Sequence, residues 1–198
     1  EWIKIMPVTE IIAIGTELLL GEIQDTNTRA IARRLRDYGI DVFRASLVGD
    51  NPHRIAQAIS DSAQRSQIII TTGGLGPTVD DPTRQAVAEA AGVELDFRPE
   101  LWAQIQARFE RMNRTATENN RRQAYIPTGS LAVPNPVGTA PSFICTLPNG
   151  TIVISLPGVP KEMEYLFENE VLPFLQKKFS LHEIILARVL HVSGMGES

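Results

Sequence analysis

At 198 residues, 43% hydrophobic and 21% charged, the chain has the apolar content of a globular protein with one main core and room for an appendage. A net charge of -4, a pI near 5.4 and the lack of a long Lys/Arg block argue against nucleic acid or an anionic membrane as partner and favour small-molecule chemistry. The short apolar runs, the missing signal-peptide pattern and the single Cys145, read as a buried strand residue in SFICTL, exclude a membrane span and an internal disulfide, so the cytoplasm is the expected compartment.

Glu1 to Pro7 reads as a leader, and the first strand is expected over Val8 to Ile14, closed by Gly15. The next segment, GTELLLGEIQDTN, places Thr16, Glu17, Asp25, Thr26 and Asn27 between a strand and a helix, where open α/β sheets carry ligand contacts. Leu18 to Leu20 are expected to tuck this loop onto the core. A helix follows from about Thr26 to Tyr38, with Ala30, Ile31 and Leu35 on one face and Gly39 as its stop. Ile40 to Val48 is the second predicted strand. Asn51 and Pro52 then form an N-cap and first helical position for a helix burying Ile55, Ala56, Ile59 and Ala63.

The third strand, Gln67 to Thr72, runs into TTGGLGPTVDDPT and a helix from Pro82 to Ala91. Alternating strands and helices predict an α/β fold, a parallel sheet covered on both faces, with this core ending near Gly92. Gly73, Gly74 and Gly76 leave backbone amides free to converge on an anion at a helix start, so the turn is a candidate phosphate cradle. Asp80 and Asp81 would repel that anion unless a cation sat between them. A helix N-cap is the plainer role for Asp81, but Asp50 and Glu17 occupy the turns after neighbouring strands, so several acids converge. Convergent acids beside a phosphate suit Mg²⁺ or a similar hard cation, and pyrophosphate hydrolysis or nucleotidyl transfer follows, with Asp80 or Asp81 holding the metal or positioning water.

Beyond Gly92 an amphipathic helix, Pro99 to Met112, carries Leu101, Ile105, Phe109 and Met112. The polar run after it reads as a lid or insertion, whose Arg114, Arg121 and Arg122 either reach a diphosphate or simply face solvent. The stiff loop NPVGTAP, 135 to 141, precedes a hairpin: Ser142 to Thr146, a Pro148, Asn149, Gly150 turn, and Thr151 to Leu156. Pro157 and Gly158 open a helix to about Lys178, which Pro173 should bend or divide. Ile184 to Val192 reads as a strand, and the final SGMGES as a cut within a longer protein.

Other chemistries fail on their motifs. No GK[ST] follows the glycines, and Val79 breaks the dinucleotide spacing GxGxxG. His53, His182 and His191 stand apart from any Ser or Cys nucleophile, and one Cys with scattered His gives no zinc site.

The segments GTELLLGEIQDTN, TTGGLGPTVDDPT, NPVGTAP and LPGVPKEM resemble the N-terminal domain of the CinA, or competence/damage-inducible, family, within the larger molybdopterin-binding superfamily of MoaB and MogA. The resemblance implies a three-layer α/β/α, MogA-like domain with a mostly parallel sheet plus the hairpin over 8–178, and a truncated linker or second small domain over 179–198. It implies a homo-oligomer, a dimer first, and a phosphorylated, ADP-ribose-like ligand. The activity implied is ADP-ribose pyrophosphatase, dependent on Mg²⁺, Mn²⁺ or Co²⁺. The alternatives are a molybdopterin- or nucleotide-binding or adenylyl-transfer domain, or an oligomerisation scaffold for a nicotinamide-nucleotide amidase domain not contained in this chain. Asp80, Asp81 and Asp50 carry the implied catalysis, with Asp80 and Asp81 on the metal. Ligand contacts are expected from Thr16, Glu17, Asn27, Thr72, Gly73, Gly74, Leu75, Gly76 and Thr83, and from Asn135, Gly138, Thr139, Ala140, Pro157, Gly158 and Glu162. MogA-like loops usually read TTGGTG; Leu75 removes a hydroxyl here and favours the CinA reading over pterin-specific contacts.

Overall fold

Apolar β-branched runs build the middle of a six-stranded sheet. A computed structural model describes residues 7–180. In it β1 (Val8–Ile14), β2 (Asp41–Val48), β3 (Ile68–Thr72) and β8 (Ile152–Leu156) lie parallel, in the order β2-β1-β3-β8. Ile11 stands beside Ile70, and Ile70 beside Ile154. β7 (Ser142–Thr146) and β6 (Leu131–Val133) continue the sheet antiparallel.

The period of two along each strand sorts side chains into two cores. Ile12, Ile14, Ile69 and Val153 point to one face, covered by α3 (Pro52–Ala63), α4 (Thr83–Ala91) and α5 (Pro99–Arg111) through Ile55, Ile59, Val87 and Leu101. Ile11, Ile68, Ile70 and Ile154 point to the other, covered by α2 (Asn27–Asp37), α7 (Pro160–Leu166) and α8 (Leu172–Phe179) through Ile31, Leu35, Leu166 and Leu175. The result is the expected three-layer fold with a mostly parallel sheet. Truncating a fully buried strand residue such as Ile70 to Ala would cost about 2–5 kcal/mol.

Three expectations need correction. The core does not end near Gly92, because the second hairpin strand crosses back to pair parallel with β3, making the hairpin two of the six strands of the main sheet. The insertion holds its own small sheet, β4 (Leu95–Phe97) against β5 (Tyr125–Pro127), with α6 (Glu118–Arg121) between them in sequence. Leu18 to Leu20 do not tuck onto the core: they sit in or just after α1 (Thr16–Leu19), a single turn with no buried residue, and Leu19 and Leu20 are exposed. The division near Pro173 is present as a π-helical stretch over 167–171 between α7 and α8, since proline removes an amide donor and crowds the preceding turn. The strand expected over Ile184 to Val192, with His182, His191 and most of 179–198, lies outside the described residues.

Candidate functional site

The glycine turn after β3 is shaped from behind. Gly73 and Gly74 have φ of 100° and 64°, and a Cβ on either would strike the Ile14 carbonyl or the Thr83 hydroxyl, so both positions require glycine. Thr83, fully buried at the start of α4, donates through Oγ1 to the Gly73 carbonyl at 2.8 Å, and its amide donates to the Gly74 carbonyl at 3.1 Å. A trans peptide plane points its N–H opposite to its C=O. Anchoring those two carbonyls on Thr83 therefore aims the amides of Gly74 and Leu75 away from it, and neither amide has a protein acceptor among the described residues. Two successive free amides form an anion nest. The Leu75 side chain is buried in the core, so the Thr-to-Leu difference in the loop changes packing while the amide stays available.

Arg84 and Asp81 brace the next peptides. Arg84, 5% exposed, donates to the Leu75 carbonyl at 2.8 Å and to the Gly76 carbonyl. Burial lowers its pKa to about 10, opposed by the neighbouring Asp81 charge, so it stays protonated at neutral pH. Asp81 accepts from the Gly76 amide at 2.7 Å and from the amide and hydroxyl of Thr78 at 2.8 and 2.7 Å. It does not cap α4, whose N-cap is Pro82 with no side-chain bond. Three accepted bonds use most of the carboxylate's lone pairs.

These loops edge a cavity of about 520 Å³ at the carboxyl ends of the parallel strands. From the turn come Thr72, Gly73, Gly74, Leu75, Gly76, Asp80 and Asp81. Glu17 and Asn27 enter after β1, Asp50 after β2, and Pro157, Gly158 and Glu162 after β8, with Thr139 and Ala140 opposite. Thr16, Thr83, Asn135 and Gly138 do not line the cavity themselves. The Thr16 amide donates to Asp50 Oδ2 at 2.8 Å and its hydroxyl accepts from the Asp50 amide at 3.1 Å, locking the first two loops together. Glu17 and Asp80 make no side-chain bond among the described residues.

Glu162 is half-buried, and burial raises its carboxyl pKa, against a hydrogen bond from Asn135 and the charge of Arg108. Asn135 Nδ2 donates to Glu162 Oε2 at 2.6 Å, while Asn135 Oδ1 accepts from the amides of Val137 and Gly138. Arg108 donates to the Val137 carbonyl at 3.1 Å, pinning the NPVGTAP loop to α5.

Arg114, Arg121 and Arg122 do not reach this cavity. Arg121 lies over the Phe97 ring, 4.7 Å from its centroid, and pairs with Glu118. His53 bonds Glu89 on the surface at 2.9 Å. Sequence reading passed over Arg84 and Gln123, and over Leu18, Ile23 and Val159 as part of the lining; DDPTR held the one local signal, an arginine next to the turn's threonine.

Residues 10–177 match the family described as a probable molybdopterin binding domain. The chain is 47% identical over 191 residues to a putative competence-damage inducible protein of Halothermothrix orenii and 45% over 190 residues to a CinA-like protein of Parasynechococcus marenigrum. Each alignment covers 96% of this chain but 46% and 45% of those proteins, so the chain spans about half the length of the curated relatives it matches. The crystal structure of the protein CinA, of unknown function, from Thermoplasma acidophilum superposes with a TM-score of 0.77 at 33% identity, over 88% of this chain and 98% of that one. The molybdopterin biosynthesis enzyme MoaB of Thermus thermophilus shares the fold, with a TM-score of 0.62 at 24% identity over 89% and 96%. The chain thus belongs to the family of probable molybdopterin-binding domains and is one of its CinA-like members.

Proposed function

We propose that the cavity binds a small phosphorylated ligand of the pterin or nucleotide class, with a phosphate on the amides of Gly74 and Leu75. The carrying observation is that both amides are unpartnered while the carbonyls of their peptide units are held behind by Thr83. Two charge-assisted bonds of about 1.5–3 kcal/mol each place a bare phosphate in roughly the millimolar range. Titrating ¹⁵N-labelled protein with inorganic phosphate, AMP, ADP-ribose and a pterin phosphate should move the Gly74 and Leu75 amide resonances first. Saturating ligand with both resonances unmoved would overturn the reading.

A second reading, cleavage of the ADP-ribose diphosphate, is favoured by the free carboxylates of Glu17 and Asp80 in the same cavity. Among the described residues no group of three or more His, Cys, Asp and Glu is placed to hold a metal ion by itself. The donor set suits a cation held jointly by one or two carboxylates and the ligand's phosphate oxygens, as Mg²⁺ commonly is. Of the three aspartates, Asp80 is the one free to take it, because Asp81 already holds the loop and Asp50 holds Thr16. When bound, such a metal would polarise the phosphoryl oxygens. AMP release from ADP-ribose with Mg²⁺, Mn²⁺ or Co²⁺, abolished by Asp80→Asn, supports this reading; release unaffected by that change removes it. Self-association completes the proposal, supported by the exposed Phe43 and Leu47 on the edge strand β2, with Leu19 and Leu20 also exposed.

A further inference from the structure

The C-terminal half of α5 borders a second cavity, of about 220 Å³, against the loop that follows β6. Gln104, Arg108 and Arg111 line it from one stripe of the helix, at spacings of four and three, and Pro134, Asn135 and Pro136 close the other side. Among the described residues none lines both this cavity and the one at the strand ends. None that lines this one is acidic.

Both guanidinium groups have donors to spare. Arg108 donates from Nη2 to the Val137 carbonyl at 3.1 Å, while its Nη1 has open surface and no partner among the described residues. Arg111 is exposed and makes no hydrogen bond or ion pair among them. Arg34, Arg36, Arg65, Arg98 and Arg121, by contrast, each pair with a carboxylate. Glu162 feels the charge of Arg108, but it is hydrogen-bonded to Asn135 and lines the other cavity.

Basic residues in a last helical turn ordinarily offset the carbonyl end of the helix, and Arg108 and Arg111 both stand there. That role accounts for their charge and leaves the acid-free cavity in front of them unexplained. Neither donates to a carbonyl of α5 among the described residues. Planar guanidinium forks meet two oxygens of a phosphate or carboxylate at once, and such a group supplies the missing negative charge.

We propose that this cavity is a second anion site, taking a phosphate or carboxylate group between Arg108 and Arg111, separate from the nest of Gly74 and Leu75. Gln104 can add an amide donor from the same stripe. Because Arg108 also holds the Val137 carbonyl, an anion here bears on the NPVGTAP loop, which supplies Thr139 and Ala140 to the first cavity. The site does not depend on what binds at the nest.

The whole chain, ¹⁵N-labelled, is titrated with inorganic phosphate and, separately, with citrate, following the arginine Nε–Hε resonances by NMR. The Arg108 and Arg111 signals should move with at least one of the two, and the tighter binder names the group. Arg111→Met removes a side chain that holds nothing else in place, so its unfolding curve should match that of the parent. It should weaken the response at Arg108 at least fivefold, while phosphate moves the Gly74 and Leu75 amides as in the parent. If neither arginine signal moves with either anion, the second site is overturned and the phosphate reading of the nest is untouched. An Arg108 response of parental affinity in Arg111→Met overturns it too, and a lowered stability alongside would assign Arg111 to the helix end. Loss of the Arg108 and nest responses together in folded Arg111→Met would mean one shared site and overturn the separation.

Discussion

Asp81 Oδ1 accepts the Gly76 amide hydrogen at 2.7 Å, so a carboxylate expected at a metal is spent on the shape of the phosphate turn. Asp81→Ala strands the Gly76 amide and frees Thr78, at a cost of about 1–3 kcal/mol. Denaturant midpoints should fall accordingly, and inorganic phosphate measured without any divalent metal should bind several-fold more weakly. A carboxylate acting only on a metal gives the opposite pattern, with stability unchanged and metal-free phosphate binding kept or improved.

Arg84 supplies the other half of the brace. Arg84→Met retains the bulk but leaves the Gly76 carbonyl without a donor and the Leu75 carbonyl with only the long contact from Gln123 Nε2 at 3.5 Å, again a cost of about 1–3 kcal/mol. It also removes a positive charge directly behind the nest, so phosphate affinity should drop further than the loss of stability alone accounts for. Arg84→Lys, able to reach one carbonyl, should fall between the two. Phosphate affinity equal to the parent in folded Arg84→Met would show that the turn holds its shape unaided.

How much of this could be read from letters follows from distance along the chain. Gly73, Gly74 and Thr83 share one contiguous motif, and Asn51 with Pro52 caps α3 as expected, its Oδ1 accepting the Arg54 amide. Gln123 meets Leu75 from 48 positions away, and no local pattern announces such a contact. Leu19 and Leu20 misled because hydrophobicity says nothing about whether a core lies opposite a single helical turn. The all-buried run Ile152 to Leu156 did hold a clue that it was a central parallel strand, since a half-exposed hairpin strand would alternate with polar residues. β4 and β5, three residues each, are too short to show any period.

The turn can be tested apart from its charges. Gly74→Ala forces a left-handed residue to carry a Cβ, roughly 1–2 kcal/mol, and drives that atom into the Thr83 hydroxyl. Thr83→Val keeps the shape of the side chain and removes only its donor to the Gly73 carbonyl. Both should weaken phosphate binding, Gly74→Ala more, and heteronuclear NMR should show the backbone amides of the nest displaced before any ligand is added. Unchanged affinity in both variants would place the anion elsewhere.

Glu162 makes the cavity pH-dependent. Its carboxyl is held above the ordinary value of 4.5, chiefly by burial, so the folded state favours the protonated form. The stability this contributes is complete below the unfolded value and is lost as pH rises through the raised folded value. Glu162→Gln removes the titration, and an amide oxygen in its place still accepts from Asn135 Nδ2. The variant should therefore unfold at a higher temperature than the parent at pH 7, and the difference should vanish below about pH 4.5, the ordinary carboxyl value. Phosphate affinity should also rise at neutral pH, because one anion fewer faces the ligand across the cavity, and converge with that of the parent in acid once inorganic phosphate's own titration is corrected for. A stability gap that persists unchanged in acid would mean that the gain comes from packing, with the Glu162 charge playing no part.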